Sequence, residues 1–237
     1  MRIAVIPARG GSKRIPFKNI RDFCGKPIIA WTIDAAINSA CFDQVIVSTD
    51  NNEIAEIAKH YGAEAPFVRP TELSNDFAGT SIVIGHAIKW YISHGIRPDS
   101  VCCIYATAPF VSIYDIRAGC AMIEDKNCDF AFSATAFAAP VQRAFRLTAD
   151  GGLRMLNPEC FDMRSQDLDQ TYHDAGQFYW ARSETWLNNE FIFGPRSRIV
   201  LIPKYRVHDI DDLDDWKRAE LMFDALNKTL IPSYRLD

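Results

Sequence analysis

Strand-like and helix-like segments alternate along the first half of this chain of 237 residues. Short apolar runs that predict buried strands lie at 3–8, 44–48, 65–68, 100–105 and 130–135. Amphipathic segments that predict helices lie between them, at about 27–39, 50–61, 80–93 and 113–124. Asp50 is placed to cap the second of these helices. Since strands that alternate with helices are typical of βαβ units, we predict an α/β fold with a mainly parallel sheet flanked by helices.

The pattern changes after about residue 137. Residues 138–176 are irregular, with a Gly151-Gly152 turn and strand-like pieces near 145–147 and 153–155. We interpret this segment as a small hairpin or flap within a single domain that spans 1–237. The predicted core is completed by strand-like runs at 177–181 and 199–203 and an amphipathic helix at about 212–227.

The loop after the first predicted strand combines glycines with a cluster of cations. Gly10 and Gly11 allow the backbone to approach a ligand closely. The cations are Arg9, Lys13, Arg14, Lys18 and Arg21. Their spacing matches neither the P-loop nor the dinucleotide-binding fingerprint. Because ligands of parallel sheets bind beyond the carboxyl ends of the strands, we predict that this loop holds the phosphates of a nucleotide there.

A run of aspartates precedes the last predicted helix. Five of the seven residues at 209–215 are Asp. In an extended segment Asp209 and Asp211 point the same way, with Ile210 packed behind them. The other three aspartates suit the first turn of a helix, where negative charge is favourable. Two carboxylates suit Mg²⁺, which takes water and phosphate oxygens as its remaining ligands, so we predict a metal site at Asp209 and Asp211.

Composition argues against several classes of partner. The net charge of −4 is not that of a general nucleic-acid binder. The first apolar run is too short for a signal peptide, and no stretch reaches the ~20 apolar residues of a membrane span. The seven cysteines include no Cys-x-x-Cys pair, which is typical of reduced thiols rather than a zinc site. We therefore expect a cytoplasmic protein with no nucleic-acid or membrane partner.

The string IPARGGSKRIPFKN, at residues 6–19, resembles the signature of the CMP-acidic-sugar synthetases. These cytidylyltransferases activate acidic sugars as CMP derivatives. Three further segments match the family in order: Arg69-Pro70, the acceptor-sugar segment at 165–179 and the Asp-x-Asp pair at 209–211. The resemblance covers the chain from Ile3 to Trp216 and implies a Rossmann-like nucleotidyltransferase fold.

The resemblance also implies roles for individual residues. Those implied to be catalytic, by holding the triphosphate and the leaving pyrophosphate, are Arg9, Lys13 and Lys18. Those implied to bind the nucleotide are Ala8, Arg9, Gly10, Gly11, Ser12, Lys13, Asn19, Arg69, Thr80, Ser81 and Thr107. Those implied to contact the acceptor sugar are Tyr105, Gln166, Tyr172, His173, Asp174 and Gln177. Asp209 and Asp211 are implied to hold Mg²⁺, with Mn²⁺ as a substitute.

The implied reaction transfers CMP from CTP to the anomeric hydroxyl of an acidic nine-carbon sugar and releases pyrophosphate. Ala-Thr-Ala-Pro-Phe at 106–110 resembles the pseudaminic acid branch of the family. The segment at 165–179 lacks the Arg and Pro of the sialic acid version. Sialic, legionaminic and KDO acids remain open as acceptors. So do two other classes, a non-catalytic nucleotide-binding module and a glycosyltransferase. The family also implies a homodimer, with 138–176 at the interface.

Overall fold

A six-stranded sheet lies at the centre of the protein in the computed structural model, which describes residues 1–228. The strands are Arg2–Pro7 (β1), Asp22–Phe23 (β2), Lys26–Pro27 (β3), Gln44–Ser48 (β4), Ser100–Ile104 (β5), Phe130–Ala136 (β6), Phe145–Leu147 (β7), Leu153–Met155 (β8), Tyr172–Arg182 (β9) and Ser197–Leu201 (β10). The helices are Ile28–Asn38 (α1), Asn52–His60 (α2), Thr80–Ser93 (α3), Ile113–Ile123 (α4), Ser183–Leu187 (α5) and Leu213–Lys228 (α6). The end of the predicted domain, 229–237, lies outside the described residues.

The order of strands in the central sheet is β10-β6-β9-β5-β1-β4. β1 pairs in parallel with β4 and β5, and β10 pairs in parallel with β6. Only β9 among these strands is antiparallel, since it runs against both β5 and β6. The prediction of a mainly parallel sheet flanked by helices is therefore confirmed. β2 with β3, and β7 with β8, form two small antiparallel hairpins.

Successive side chains of the strands in the sheet lie on opposite faces. In β1, Ile3 and Val5 pack with α3 and α5, whereas Ala4 and Ile6 pack with α1, α2 and α4. This is the period of two that a strand buried on both faces requires. The adjacent cysteines Cys102 and Cys103 divide between the same two faces. A third apolar cluster joins α6 to the β2–β3 hairpin and includes Phe23, Trp216 and Phe223.

Three predictions about local structure were wrong. Asn51, not Asp50, caps α2, because its side chain accepts a hydrogen bond of 3.0 Å from the Ile54 amide. Residues 65–68 form no strand in the described part of the chain; Val68 makes only an isolated bridge with Thr49.

The irregular segment also ends earlier than the predicted 138–176. β9 begins at Tyr172, and His173 pairs with Thr135 of β6. The start of this strand is polar and exposed. The usual apolar alternation is therefore missing there, and the sequence pattern revealed only the later part of the strand, at 177–181. The predicted hairpin itself is present, with β7 and β8 at the predicted positions.

Candidate active site

A cleft of 780 Å³ opens at the carboxyl ends of β1 and β5, between the basic loop at 8–19 and the start of α3. This is where a parallel α/β sheet binds its ligands. Of the predicted site residues, those that line the cleft are Arg9, Ser12, Lys13, Lys18, Asn19, Arg69, Thr80, Tyr105, Thr107 and Asp211. The cleft therefore brings together the basic loop, Asp211 of the aspartate pair, and polar side chains that follow β5 or begin α3.

The basic loop is held in place by hydrogen bonds to its own backbone. The Gly10 amide donates to Asp50 Oδ1 over 2.9 Å, and Asn19 Nδ2 donates to the Arg9 carbonyl over 2.9 Å. A Cβ atom on Gly10 would lie 3.0 Å from the Asn51 side chain, so glycine allows a close approach to the start of α2. The Ser12 amide donates to the Gly10 carbonyl. Since these two amides have partners within the protein, the loop offers charge to the cleft chiefly through its cationic side chains.

Two carboxylates form ion pairs with four of these cations. Asp76 contacts Arg9 Nη1 at 2.6 Å and Lys13 Nζ at 2.7 Å. Across the cleft, Asp211 contacts Arg14 Nη2 at 2.8 Å and Lys18 Nζ at 3.9 Å. Lys18 is largely buried, and this burial lowers its pKa, while the charge of Asp211 opposes the shift.

Arg69 presents a buried cation to the cleft. Its side chain is 4 % exposed, and its Nε donates to Ser74 Oγ over 3.1 Å. The Arg69 amide donates to the Thr49 carbonyl, which fixes the segment beside the end of β4. Burial lowers the pKa of Arg69, and the nearby Asp50 carboxylate raises it in part. An arginine desolvated in this way binds an anion more strongly than one in water does.

A chain of hydrogen bonds runs from the cleft into β9. Thr80 Oγ1 lies 2.9 Å from the Tyr105 hydroxyl, Tyr105 is hydrogen-bonded to Tyr179, and the Tyr179 hydroxyl donates to Asp174 Oδ2. Burial raises the pKa of both tyrosines, so both are protonated at neutral pH. Because Tyr179 spends its one hydroxyl proton on Asp174, it accepts from Tyr105, and Tyr105 in turn accepts from Thr80. Thr80 is left with lone pairs that can accept from a ligand.

The remaining residues predicted to contact the acceptor sugar do not line this cleft. His173 packs against Phe137 and shares a hydrogen bond of 2.9 Å with the Asp174 carbonyl. Gln166 and Tyr172 are exposed: Gln166 lies in the irregular segment, and Tyr172 is the first residue of β9. Gln177 is buried, and its Nε2 donates to the Arg206 carbonyl over 2.7 Å. Its Oε1 has no hydrogen-bond partner among the described residues.

Four residues predicted to bind the nucleotide also lie outside the lining of the cleft. Ala8 is buried, and its amide donates to the Ser48 carbonyl over 3.0 Å. Gly10 and Gly11 lie in the loop behind the cationic side chains. Ser81 is half-buried in the first turn of α3, beside Thr80. These residues shape the backbone around the cleft rather than its surface.

The aspartate run divides as its spacing predicts. Ile210 is 2 % exposed, between the solvent-accessible Asp209 and Asp211. Asp212 Oδ1 accepts from the Asp215 amide over 2.9 Å, and Asp215 Oδ2 accepts from the Asp211 amide over 3.1 Å. Asp212 and Asp215 therefore cap the start of α6.

The aspartate pair fits a divalent cation that has few protein ligands. Partial burial raises the pKa of Asp209, and the negative charge of Asp211 raises it further. A divalent cation would relieve this repulsion. In residues 1–228 no group of three or more His, Cys, Asp and Glu side chains is arranged to hold a metal. A cation held by these two carboxylates alone would need water and substrate oxygens as its other ligands, as Mg²⁺ does in many nucleotide sites.

Comparison with protein families decides the identity of the chain. The family model described as "Cytidylyltransferase" matches residues 3–203. The chain belongs to the cytidylyltransferase family. It is thus a nucleotidyltransferase, and the resemblance seen in the N-terminal signature is confirmed.

Individual cytidylyltransferases resemble it along most of their length. A "Pseudaminic acid cytidylyltransferase" of Campylobacter jejuni is 44% identical over 93% of this chain and 95% of its own. A "CMP-N,N'-diacetyllegionaminic acid synthase" of Legionella pneumophila is 30% identical over 98% of this chain and 100% of its own. The solved structure of a CMP:2-keto-3-deoxy-manno-octonic acid synthetase complexed with CTP has a TM-score of 0.67 at 18% identity. It covers 94% of this chain and 98% of its own chain, and it shows the shared fold.

Three residues make contacts in the cytidylyltransferase site that were not predicted from the sequence. They are Asp50 at the Gly10 amide, Asp76 at Arg9 and Lys13, and Tyr179 behind Tyr105. Each acts through a contact between distant parts of the chain, and Asp76 lies 63 residues from Lys13. For Tyr179, the sequence indicated a contact through its position as a polar residue within a predicted buried strand. A buried hydroxyl needs a hydrogen-bond partner.

Proposed function

We propose that this cytidylyltransferase transfers CMP from CTP to the anomeric hydroxyl of pseudaminic acid and releases pyrophosphate. The observation that carries the proposal is the cleft at the carboxyl edge of the sheet, where cations of the basic loop face Asp211. The similarity to the Campylobacter enzyme, over nearly the whole chain, supports pseudaminic acid as the acceptor. Legionaminic, sialic and KDO acids remain the alternative acceptors.

In this proposal the sugar hydroxyl attacks the α-phosphorus of CTP, and the bond to the bridging oxygen of pyrophosphate breaks. Such a transfer depends mainly on positioning and on stabilisation of charge. Arg9, Lys13 and Lys18 would bind the triphosphate and stabilise the charge that develops on the leaving pyrophosphate. Arg69 would contribute a desolvated cation, and Thr80 would accept a hydrogen bond from the nucleotide.

Asp209 and Asp211 would hold Mg²⁺, for which Mn²⁺ is a plausible substitute. When bound, such an ion screens phosphate charge and lowers the pKa of a coordinated hydroxyl. Asp211 already pairs with Arg14 and Lys18, so the proposed metal site adjoins loop cations that would bind the phosphates.

The proposal includes a homodimer formed through the segment at 138–176. Its apolar side chains are unusually exposed: Phe145 is 60%, Leu147 75%, Leu153 65% and Phe161 69% accessible to solvent. A second copy of the chain would cover this apolar surface. Light scattering at working concentration tests this, and the mass of a single chain would contradict it.

A cytoplasmic location is also part of the proposal, because cells make and hold CTP there. No helix in residues 1–228 is both long and apolar enough to cross a membrane. All seven cysteines have free thiols, and four of them are buried. Free thiols are common in cytoplasmic proteins.

The decisive experiment measures pyrophosphate release with CTP and Mg²⁺ in the presence of pseudaminic, legionaminic, N-acetylneuraminic or KDO acid. We expect release chiefly with pseudaminic acid. Lys13→Gln serves as the impaired variant, and Lys59→Gln, on the exposed surface of α2, serves as the matched control. Release with another acid instead would retain the reaction and change the acceptor. No release with any acid would contradict the proposal.

A further inference from the structure

Asp76 bridges two of the cations that the proposed function assigns to phosphate. Its Oδ1 lies 2.6 Å from Arg9 Nη1, and its Oδ2 lies 2.7 Å from Lys13 Nζ. Hydrogen bonds from Lys13 and Arg9 lower the pKa of Asp76, so the carboxylate is ionised at neutral pH. Both carboxylate oxygens are therefore engaged with the cations, in the manner of two oxygens of a phosphate group.

The segment that carries Asp76 lies at the mouth of the cleft, outside any helix or strand. It connects the turn at Thr71–Leu73 to the start of α3 at Thr80. The neighbouring Phe77 is 94% exposed, and Asn75 makes its hydrogen bonds within the segment. Asp76, Arg9 and Lys13 line the same cleft. The carboxylate thus lies where the phosphates of CTP would contact these cations.

A carboxylate and a phosphate group cannot both occupy the two cations without strong repulsion. Exposed ion pairs are weak, so a polyphosphate that brings several charges can displace Asp76. We propose that Asp76 is an internal competitor for Arg9 and Lys13, which keeps them paired before CTP binds and returns to them as pyrophosphate leaves. The inference rests on the proposed function for the names of these two ligands. Asp76 thereby sets the affinity for substrate and product.

Competition by Asp76 should also change how binding depends on the salt concentration. In the wild-type protein an incoming polyphosphate replaces a carboxylate of the protein. Without Asp76 the two cations attract salt anions, which the ligand must then displace. Binding to an Asp76→Asn variant should therefore weaken more steeply as the salt concentration rises. A merely structural role for Asp76 would leave this slope unchanged.

The test is isothermal titration of inorganic pyrophosphate and of CTP, with and without Mg²⁺, into wild-type protein, Asp76→Asn and Glu72→Gln. Glu72 lies in the same segment and its replacement removes the same charge, but its side chain is exposed and lies outside the lining of the cleft. We expect Asp76→Asn to bind both ligands about five- to tenfold more tightly, the scale of two exposed ion pairs. Glu72→Gln should stay within about twofold of the wild type.

Three outcomes would overturn the inference. Equal or weaker binding by Asp76→Asn in all conditions would show that Asp76 does not compete with the ligand. Weaker binding by Asp76→Asn only with Mg²⁺ would make Asp76 a ligand of the bound complex. An equal gain in affinity in Glu72→Gln would show that the effect comes only from the change in net charge. All three results leave the proposed function standing, because that function is judged by turnover with the acceptor sugars. If Asp76→Asn binds both ligands more tightly but the wild-type protein turns over none of the acceptor sugars, the proposed function is rejected and the competition by Asp76 stands.

Discussion

The guanidinium of Arg206 forms a two-point ion pair with the carboxylate of Asp115, and both side chains are nearly buried, at 13% and 12% exposure. Ser112 Oγ also donates to Asp115, at 2.9 Å, so the carboxylate is fixed at the first turn of α4. Arg206 lies three residues before Asp209 in the chain. The pair therefore anchors the segment that carries the proposed metal site to the start of α4.

Arg206→Met tests this anchor. Removing the cation leaves the buried Asp115 without its charged partner, and we expect a loss of about 3 kcal/mol in the free energy of unfolding. Arg196→Met is the matched control, because Arg196 pairs with Asp129 at the exposed edge of the sheet. Urea denaturation of both variants should show a much smaller loss for the control. Equal losses would mean that burial of the Arg206 pair has no special effect.

Gly119→Ala tests the packing of α4 on β9. An added Cβ would lie 2.7 Å from Trp180 Cδ1 and 2.8 Å from Phe178 Cε2, both in fully buried rings. We expect a loss of about 1–3 kcal/mol from overpacking. At Gly85 of α3 a Cβ meets no atom within 4 Å, so Gly85→Ala should be neutral or stabilise by up to about 1 kcal/mol. The midpoint of thermal unfolding should fall in Gly119→Ala and stay unchanged or rise in Gly85→Ala, and a similar fall in both variants would contradict this account.

The sequence predicted the elements that follow a clear apolar period. β4 and α3 lie at their predicted positions, because each has a continuous apolar pattern and a polar boundary. The start of β9 and the short α5 did not follow such a pattern. Composition could locate the cationic loop and the aspartate pair, since these chemical groups are local in sequence. It could not reveal that Asp76 contacts Lys13, because that contact depends on how distant loops meet.

Tyr179→Phe tests the hydrogen-bond chain behind the cleft. Loss of the hydroxyl removes one of two donors to Asp174, since the Gly176 amide still donates to Asp174 Oδ1 over 2.9 Å, and it frees Tyr105 to donate in another direction. We expect a loss of about 2 kcal/mol in stability, since a hydrogen bond to a charged group is lost, together with weaker CTP binding, because Thr80 loses its fixed direction. Tyr91→Phe is the control: its hydroxyl donates to Gln44 Oε1 over 2.6 Å, away from the cleft. Calorimetry should find CTP affinity changed in the first variant alone.

Asp211→Asn tests the proposed metal pair. Since Asn is a weaker ligand and carries no charge, we expect turnover to fall by about two orders of magnitude, the scale of a lost electrostatic contact in a transition state. Asp214→Asn is the matched control, because Asp214 is an exposed residue in the first turn of α6. Paramagnetic resonance of Mn²⁺ with CTP should show weaker binding of the metal to Asp211→Asn and unchanged binding to the control.

Full turnover and unchanged Mn²⁺ binding in Asp211→Asn would remove Asp211 from the metal site. If Asp211→Asn loses turnover but binds Mn²⁺ normally, the loss comes instead from weaker contacts of residue 211 with Arg14 and Lys18, because Asn carries no charge to pair with them.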